Sequence, residues 1–240
     1  MGHMSAPVQA VLFDLGNTLV GYYPASAFHA VLRECLQAAA SAASLDLTPG
    51  EHGRLFDAAL VVNAESKGDA VRSLSDRLCR LFQPYAHLDG ASLDEVCRAF
   101  LAPIFGRARP DPGAPRLLDT LRQRGLKTAI VSNTPWGSPA DLWRRELDRH
   151  GLTHRVDASV FCVEVGWRKP HPAPFRRALA LLGVEAANAL FVGDDPRWDV
   201  VGAREAGMRP VLICPDGADE SECPVIRDLE ELLPLIDAMR

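Results

Sequence analysis

The chain has 240 residues, 48% apolar and 24% charged, with a formal net charge of −5, an ordinary globular balance that suits one large domain or one domain with an insert. It carries no dense basic stretch, which argues against a nucleic-acid partner, and no apolar run near the roughly 20 residues of a membrane span. The six cysteines (Cys35, Cys79, Cys97, Cys162, Cys214, Cys223) form no CxxC pair; in a chain with room for an adequate core they read as reduced, mostly buried thiols, and a cytoplasmic location is the expectation.

The opening MGHMSAP lacks an apolar signal region and reads partly as a cloning remnant, outside the fold. Residues 8–13 (VQAVLF) predict a strand that ends in a polar loop carrying Asp14, Gly16, Asn17 and Thr18. From about 25 to 105 the apolar residues recur at helical spacing and no convincing strand is visible. Thr48-Pro49-Gly50-Glu51 is a capping-box start with Pro in the first turn, and Ser92 with Glu95 predicts a second box. After Pro110-Asp111-Pro112-Gly113 strands and helices alternate: a helix ending at Gly125, a strand at 127–133, a helix at 141–149, a strand at 158–164, and a helix at 174–183. A strand at 188–195, a helix at 199–207, a strand at 209–214 and a last helix at 229–239 follow. Alternation of this kind, with strands that are continuous apolar runs, predicts an α/β fold. The expectation is a Rossmann-like three-layer α/β/α parallel sheet, formed by residues 1–21 and 106–240, with residues 22–105 as an inserted all-helical unit.

Ligands of parallel sheets sit beyond the carboxyl ends of the strands. Four polar clusters occupy such places: Asp14; Ser132 and Asn133; Lys169; and Asp194 with Asp195 and Asp199. Their chemistry is coherent. A carboxylate can attack phosphorus and form an acyl phosphate, dividing hydrolysis into two easier steps. Repulsion between the two anions is offset by Mg²⁺, which one or two carboxylates hold together with waters and substrate oxygens; Asp14 and Asp194 could supply them. Lys169 would neutralise remaining charge. The Ser132 hydroxyl, backbone N–H groups and a helix N-terminus just beyond would bind phosphoryl oxygens. Each residue taken singly also has a plain structural reading. Asp14 could be a turn residue, Ser132-Asn133 an N-cap, and Lys169 a solvated loop charge. Asp194 and Asp195 could cap the next helix, with Asp199 favouring its dipole.

The four clusters, their order and the helical insert after the first resemble the haloacid dehalogenase superfamily over essentially the whole chain, in the form with a helical cap of the first type. The resemblance implies Asp14 as nucleophile and metal ligand, Gly16 as a metal ligand through its carbonyl, and Asp194 as the acidic metal ligand. It implies Ser132 and Asn133 as the phosphate-binding pair and Lys169 as the charge-neutralising base. Asp195, Asp199 and Thr18 would stand behind these, Asp199 holding the metal site or Lys169. Mg²⁺ is the implied cofactor and a small phosphorylated metabolite, such as a sugar phosphate, the implied substrate. The loop departs from the family pattern, with DLGNT in place of DxDGT. The family's phosphatases usually carry a second Asp two residues after the nucleophile, as proton donor and then base. Gly16 cannot donate, so a good leaving group, a cap residue or the substrate must serve. Two alternatives follow: a weak or inactive member that binds a phosphorylated ligand or a partner, and a 2-haloacid dehalogenase that needs no metal. His29, Arg33, Arg72, Arg77 and Arg80 of the insert either reach the substrate or form a solvated face. Tyr22-Tyr23-Pro24 lines the entrance, forms a hinge, or packs. Trp136, Trp167 and Trp198 shape the pocket or bury against the cap. The oligomeric state is not legible.

Overall fold

The computed structural model describes residues 7–63, 68–215 and 223–239. In chain order, β1 (Ala10–Phe13) and β2 (Val20–Gly21) precede four helices, α1 (Phe28–Ala42), α2 (Pro49–Asn63), α3 (Leu74–Phe82) and α4 (Gly90–Phe105). Then come β3 (Arg109–Pro110), α5 (Ala114–Gln123), β4 (Lys127–Ser132), α6 (Ala140–Arg149), β5 (Ala158–Phe161), α7 (Cys162–Val165) and α8 (Ala173–Leu182). The chain closes with β6 (Ala189–Gly193), α9 (Gly202–Glu205), β7 (Arg209–Ile213), β8 (Val225–Ile226) and α10 (Leu232–Ala238). Six of the strands make one parallel sheet in the order β5-β4-β1-β6-β7-β8.

The two-residue period of a strand sends alternate side chains to opposite faces. In β1, Ala10 and Leu12 join one apolar cluster with Phe175 and Phe191, while Val11 and Phe13 join another that runs on into α1–α4 through Leu32, Leu55, Leu74 and Phe100. Both faces are therefore buried, and the strand reads as an unbroken apolar run. β2 and β3 pair antiparallel, Val20 opposite Pro110 and Gly21 opposite Arg109, as a two-stranded ribbon flanking the four helices. At two residues each, β2, β3 and β8 are too short to leave a periodic signal.

Several local expectations change. Residues 1–6, 64–67 and 216–222, which include part of the opening segment and of the expected insert, lie outside those described. Among the described residues of 25–105 the sole extended pairing is a single bridge, Ala70 to Trp167. The Thr48–Glu51 box forms, with Thr48 N donating to Glu51 Oε2 at 2.8 Å and Glu51 N to Thr48 Oγ1 at 3.4 Å. The second box is not Ser92–Glu95. Asp89 is the N-cap, its Oδ1 accepting from Ser92 N, while Ser92 Oγ accepts from Asp89 N at 3.1 Å. A carboxylate three residues ahead of Ser92 outcompetes it for the capping role. The strand expected over 158–164 stops at Phe161, because Glu164 Oε2 accepts from Phe161 N at 3.0 Å and closes a helical turn that ends at Gly166, φ +75°. The helix expected at 199–207 begins earlier, as a π-helical turn at Pro196–Val201, and the last helix opens with a 3₁₀ turn at Leu229–Glu231. No helix among the described residues is long and apolar enough to cross a membrane. Cys35, Cys97 and Cys162 are buried, and burial, with a nearby acidic residue, pushes the Cys35 and Cys97 thiols up to about 12.

Candidate active site

Asp14 continues β1 by one residue, its N–H donating to Val192 O of β6 at 2.9 Å. Ser132 ends β4, Lys169 lies in the loop between α7 and α8, and Asp194 and Asp195 follow β6. Parallel wiring brings all of them to one edge of the sheet. There Lys169 Nζ donates to Asp14 Oδ1 at 2.7 Å and to Asp199 Oδ1 at 2.6 Å, with the lysine only 2% exposed. Asp199 Oδ2 accepts from Asp195 N at 3.1 Å, so both oxygens of Asp199 are engaged. The Asp194 carboxylate takes a hydrogen bond from the Asn17 side chain. Asp14, Asp194 and Asp199 each place a carboxylate oxygen within 4.8 Å of the others.

Three carboxylates thus face one ammonium. Burial, then the charges of Asp14 and Asp199, push Asp194 up to about 7. Burial also raises Asp199, to about 6, against the pull of Lys169. For Lys169 burial opposes the charge, but Asp14 and Asp199 overcome it and hold the ammonium above its ordinary range.

The local folds that aim these groups are specific. The π-helical turn after Asp195 is capped by that residue, whose Oδ1 accepts from Arg197 N and Trp198 N, both at 2.8 Å. Its widened geometry turns Asp199 inward to the lysine, a use of π-turns common at functional sites. Asn17 sits in the left-handed region at φ +56°, which explains why Asn can stand where the family pattern has Gly. Asn17 N also donates to Val20 O at 2.8 Å, folding the loop back on itself. Thr18 is buried under that loop, its Oγ1 without a hydrogen-bond partner. The Asn133 amide forms a two-point clamp on the main chain of Lys169, with Lys169 N donating to Oδ1 at 2.8 Å and Nδ2 donating to Lys169 O at 3.1 Å.

Gly193 carries no sequence signal beyond preceding two aspartates, yet a Cβ there would stand 2.2 Å from Asp199 Oδ2. Gly193→Ala is expected to push Asp199 off Lys169 and destabilise the fold by about 1–3 kcal/mol. Gly53→Ala, with nothing within 4 Å, serves as a control and is expected to be neutral or stabilising. Urea midpoints check both.

A cavity of about 580 Å³ opens on Asp14, Gly16, Asn17, Ser132, Lys169 and Asp194. Tyr22 borders it: a Cβ on Gly16 would meet Tyr22 Cδ2 at 3.9 Å. The Tyr22 hydroxyl is enclosed without a hydrogen-bond partner, and burial, then Glu146 and Asp14, raise its pKa. A second cavity of about 400 Å³ lies alongside, lined by Val31, Leu32, Phe100, Trp136 and Arg168 among others. Of the tryptophans singled out in the sequence, Trp198 lines both cavities and Trp136 the second, whereas Trp167 is 41% exposed and stacks on His171. His29, Arg33, Arg72, Arg77 and Arg80 do not line the Asp14 cavity. Arg33 lies over Phe56, His29 packs edge-on to the same ring, and Arg77 donates to the carbonyls of Val62 and Arg72.

The fold and site define a Rossmann-like α/β enzyme with a carboxylate–lysine centre at the strand ends. The profile of the haloacid dehalogenase-like hydrolases matches residues 8–207, and the chain belongs to that family. It is 34% identical over 215 residues to a phosphoglycolate phosphatase of Rhodospirillum rubrum, covering 85% of this chain and 78% of that protein. To the phosphoserine phosphatase of Thermus thermophilus it is 43% identical over 102 residues, 42% of this chain, and spans only 39% of that protein's length. A solved 2-haloacid dehalogenase from Pseudomonas syringae pv. Tomato DC3000 matches with a TM-score of 0.69 at 25% identity, over 96% of this chain and 98% of that one.

Proposed function

We propose that the chain is a phosphatase that hydrolyses a small phosphorylated metabolite through an acyl phosphate on Asp14, with Mg²⁺ as cofactor. The observation that carries this is the placement of Lys169 between Asp14 and Asp199. It orients Asp14 through one oxygen and leaves the other to attack phosphorus. The names of the matched phosphatases support the reaction class. The donor set fits Mg²⁺, being clustered carboxylate oxygens in excess of the local cation. With Asp199 engaged on both oxygens, Asp14, Asp194 and the Gly16 carbonyl would hold the ion. Bound there, it would offset the repulsion between nucleophile and phosphate.

Each remaining residue has a part. Ser132 holds a phosphoryl oxygen. Asn133 fixes the main chain of Lys169 from beside the substrate. Asp199 orients Lys169, Asp195 fixes the turn that carries Asp199, and Thr18 supports the nucleophile loop. Residues 22–105 act as a cap over a core of 1–21 and 106–240, closing on the bound substrate and excluding water from the first step.

Phosphate release from a panel of small esters, with Mg²⁺ and with chelator, tests the proposal. Activity that requires the metal is expected. Metal-independent halide release from 2-chloropropionate would replace it with a dehalogenase. Tight Mg²⁺ binding without turnover would make the chain a binder.

Metal binding is expected to depend on pH. An acid raised to about 7 takes up a proton in the folded state that the unfolded chain does not hold between about pH 4 and 7. The metal-free fold therefore loses stability as pH rises through that window. Mg²⁺ must displace the proton, so its affinity is expected to fall about tenfold per unit below pH 6. The rise in Tm on adding Mg²⁺ should be larger at pH 8 than at pH 5.5. A pH-independent rise would remove Asp194 from the ligand set.

A further inference from the structure

We infer that the leaving group is a bulky, largely apolar oxyanion of low basicity, such as a phenolate or enolate, and not a small polyol. This rests on the phosphatase reading above and on two independent features, a second chamber beside the nucleophile and the space at Gly16.

The chamber shares a wall with the Asp14 cavity: Tyr23, Phe28, Ile104, Asn133, Pro135 and Trp198 line both. Its volume, about 400 Å³, falls in the range of pockets that enclose a drug-sized ligand, far more than a two- or three-carbon alcohol fills. The remaining wall is mainly hydrocarbon and arene, with Val31 and Leu32 of α1, Phe100 of α4 and Trp136, the last two rings 5.3 Å apart. A polyol requires convergent donors and acceptors, because each hydroxyl left unpaired on burial is costly. The chamber's polar side chains are a minority of the described lining: apart from the cysteines, Tyr23, Asn63, Asn133, Thr134 and Arg168. The Asn133 amide is engaged by Lys169 at both ends, Thr134 N donates to Cys162 Sγ at 3.2 Å, and the one charged side chain among the described lining residues, Arg168, lies 5.3 Å over the Trp198 ring.

The second feature is chemical. Two residues after Asp14 there is no carboxyl, and the vacated space is bounded by the face of Tyr22, whose hydroxyl is enclosed away from solvent. The carboxylates among the described lining residues are all engaged in other roles. Asp14 attacks, Asp194 sits against Asn17, Asp195 caps the π-turn, and Asp199 holds Lys169. An alkoxide expelled here would leave without a proton. In the first step, an Asp14 oxygen forms a bond to phosphorus as the phosphorus–oxygen bond to the leaving group breaks. The electron pair stays on that oxygen as a phenolate or enolate, which takes its proton from solvent. Water then cleaves the acyl phosphate, so that ester plus water gives the hydroxy compound plus phosphate.

Two measurements on the intact chain with Mg²⁺ test this. Calorimetric titration compares methylphosphonate with 1-naphthylmethylphosphonate, neither of which is hydrolysed. The naphthyl compound is expected to bind on the order of 100-fold more tightly. Trp136→Ala and, by filling the chamber, Val31→Phe should each remove about tenfold of that while leaving methylphosphonate affinity unchanged. Equal affinities, or variants without effect on the naphthyl compound, overturn the chamber. Turnover compares 1-naphthyl phosphate with 1-naphthylmethyl phosphate, alike in shape but different in leaving-group basicity. In acid-quenched single turnovers the aryl ester is expected to phosphorylate Asp14 at least about 100-fold faster, the lower end of what a proton donor contributes. Equal rates overturn the leaving-group assignment, since a donor must then exist. Failure of methylphosphonate to bind, with no ester hydrolysed, removes the phosphatase reading itself and this inference with it.

Discussion

Asp14→Asn is expected to lower phosphate release by on the order of 10⁴-fold or more, with little change in fold. Removal of a nucleophile that acts in concert with its neighbours has effects of this size. The amide is nearly isosteric and its oxygen can still accept from Lys169, which touches Oδ1 at 2.7 Å, so the geometry around it is kept. An uncharged carbonyl oxygen is a poor nucleophile and a weaker metal ligand. The loss should therefore appear in kcat and in Mg²⁺ affinity, not in the thermal midpoint. Acid-quenched single turnovers give a second readout. The wild-type chain should carry hydroxylamine-labile phosphate and the variant none. Rates within tenfold of the wild type would remove Asp14 from the role of nucleophile.

Lys169→Met is expected to be the most damaging change to stability, with a smaller loss of activity than Asp14→Asn. The side chain fits the space, but the ammonium that separates two carboxylates is gone, and it is buried with one of them, Asp199, equally enclosed. Removing one partner from a buried ion pair costs about 3–5 kcal/mol because it strands the other charge. Losing one preorganised electrostatic group from a site costs roughly 10²–10³-fold in rate. The pH dependence separates this from simple loss of packing. Without Lys169 the stranded carboxylates have folded-state pKa values above those of the unfolded chain. They are accommodated as neutral acids at low pH and become a growing burden as pH rises. The deficit in unfolding free energy should thus be small at pH 5 and largest near pH 8. A deficit independent of pH would mean that the methylenes, not the charge, account for it.

Much of the fold was legible because its signals are local. A buried parallel strand must be apolar on both faces, so β1, β4, β6 and β7 stand out as runs. The first residue after such a run at a ligand-binding edge must be polar, which marks Asp14, Ser132 and Asp194 without any coordinates. Helix starts were legible where one cap was available, as at Thr48. Ser92 misled, because Asp89 three residues earlier satisfied the same pattern and won. Strand ends misled where a side chain downstream, Glu164, could close a turn back on the backbone.

By itself, the sequence determined the strand-and-helix order, the identity of the candidate carboxylates and lysine, and the absence of an acid at Gly16. Tertiary structure alone decided how they combine. Asp14 and Lys169 are 155 residues apart in the chain, yet meet at 2.7 Å. No local periodicity encodes that meeting, which depends on strand order and on the path of two loops. Asp199 was open between the metal, the lysine and a helix dipole until the π-turn aimed it at Lys169. Asn133 turned its amide to the main chain of Lys169, and Gly193 proved to be the space Asp199 occupies. The second chamber is likewise a product of packing between α1, α4 and the loop after β4. Propensity and patterning act over a few neighbouring residues, whereas charge balance, close approach and cavity shape are set by residues that only folding brings together.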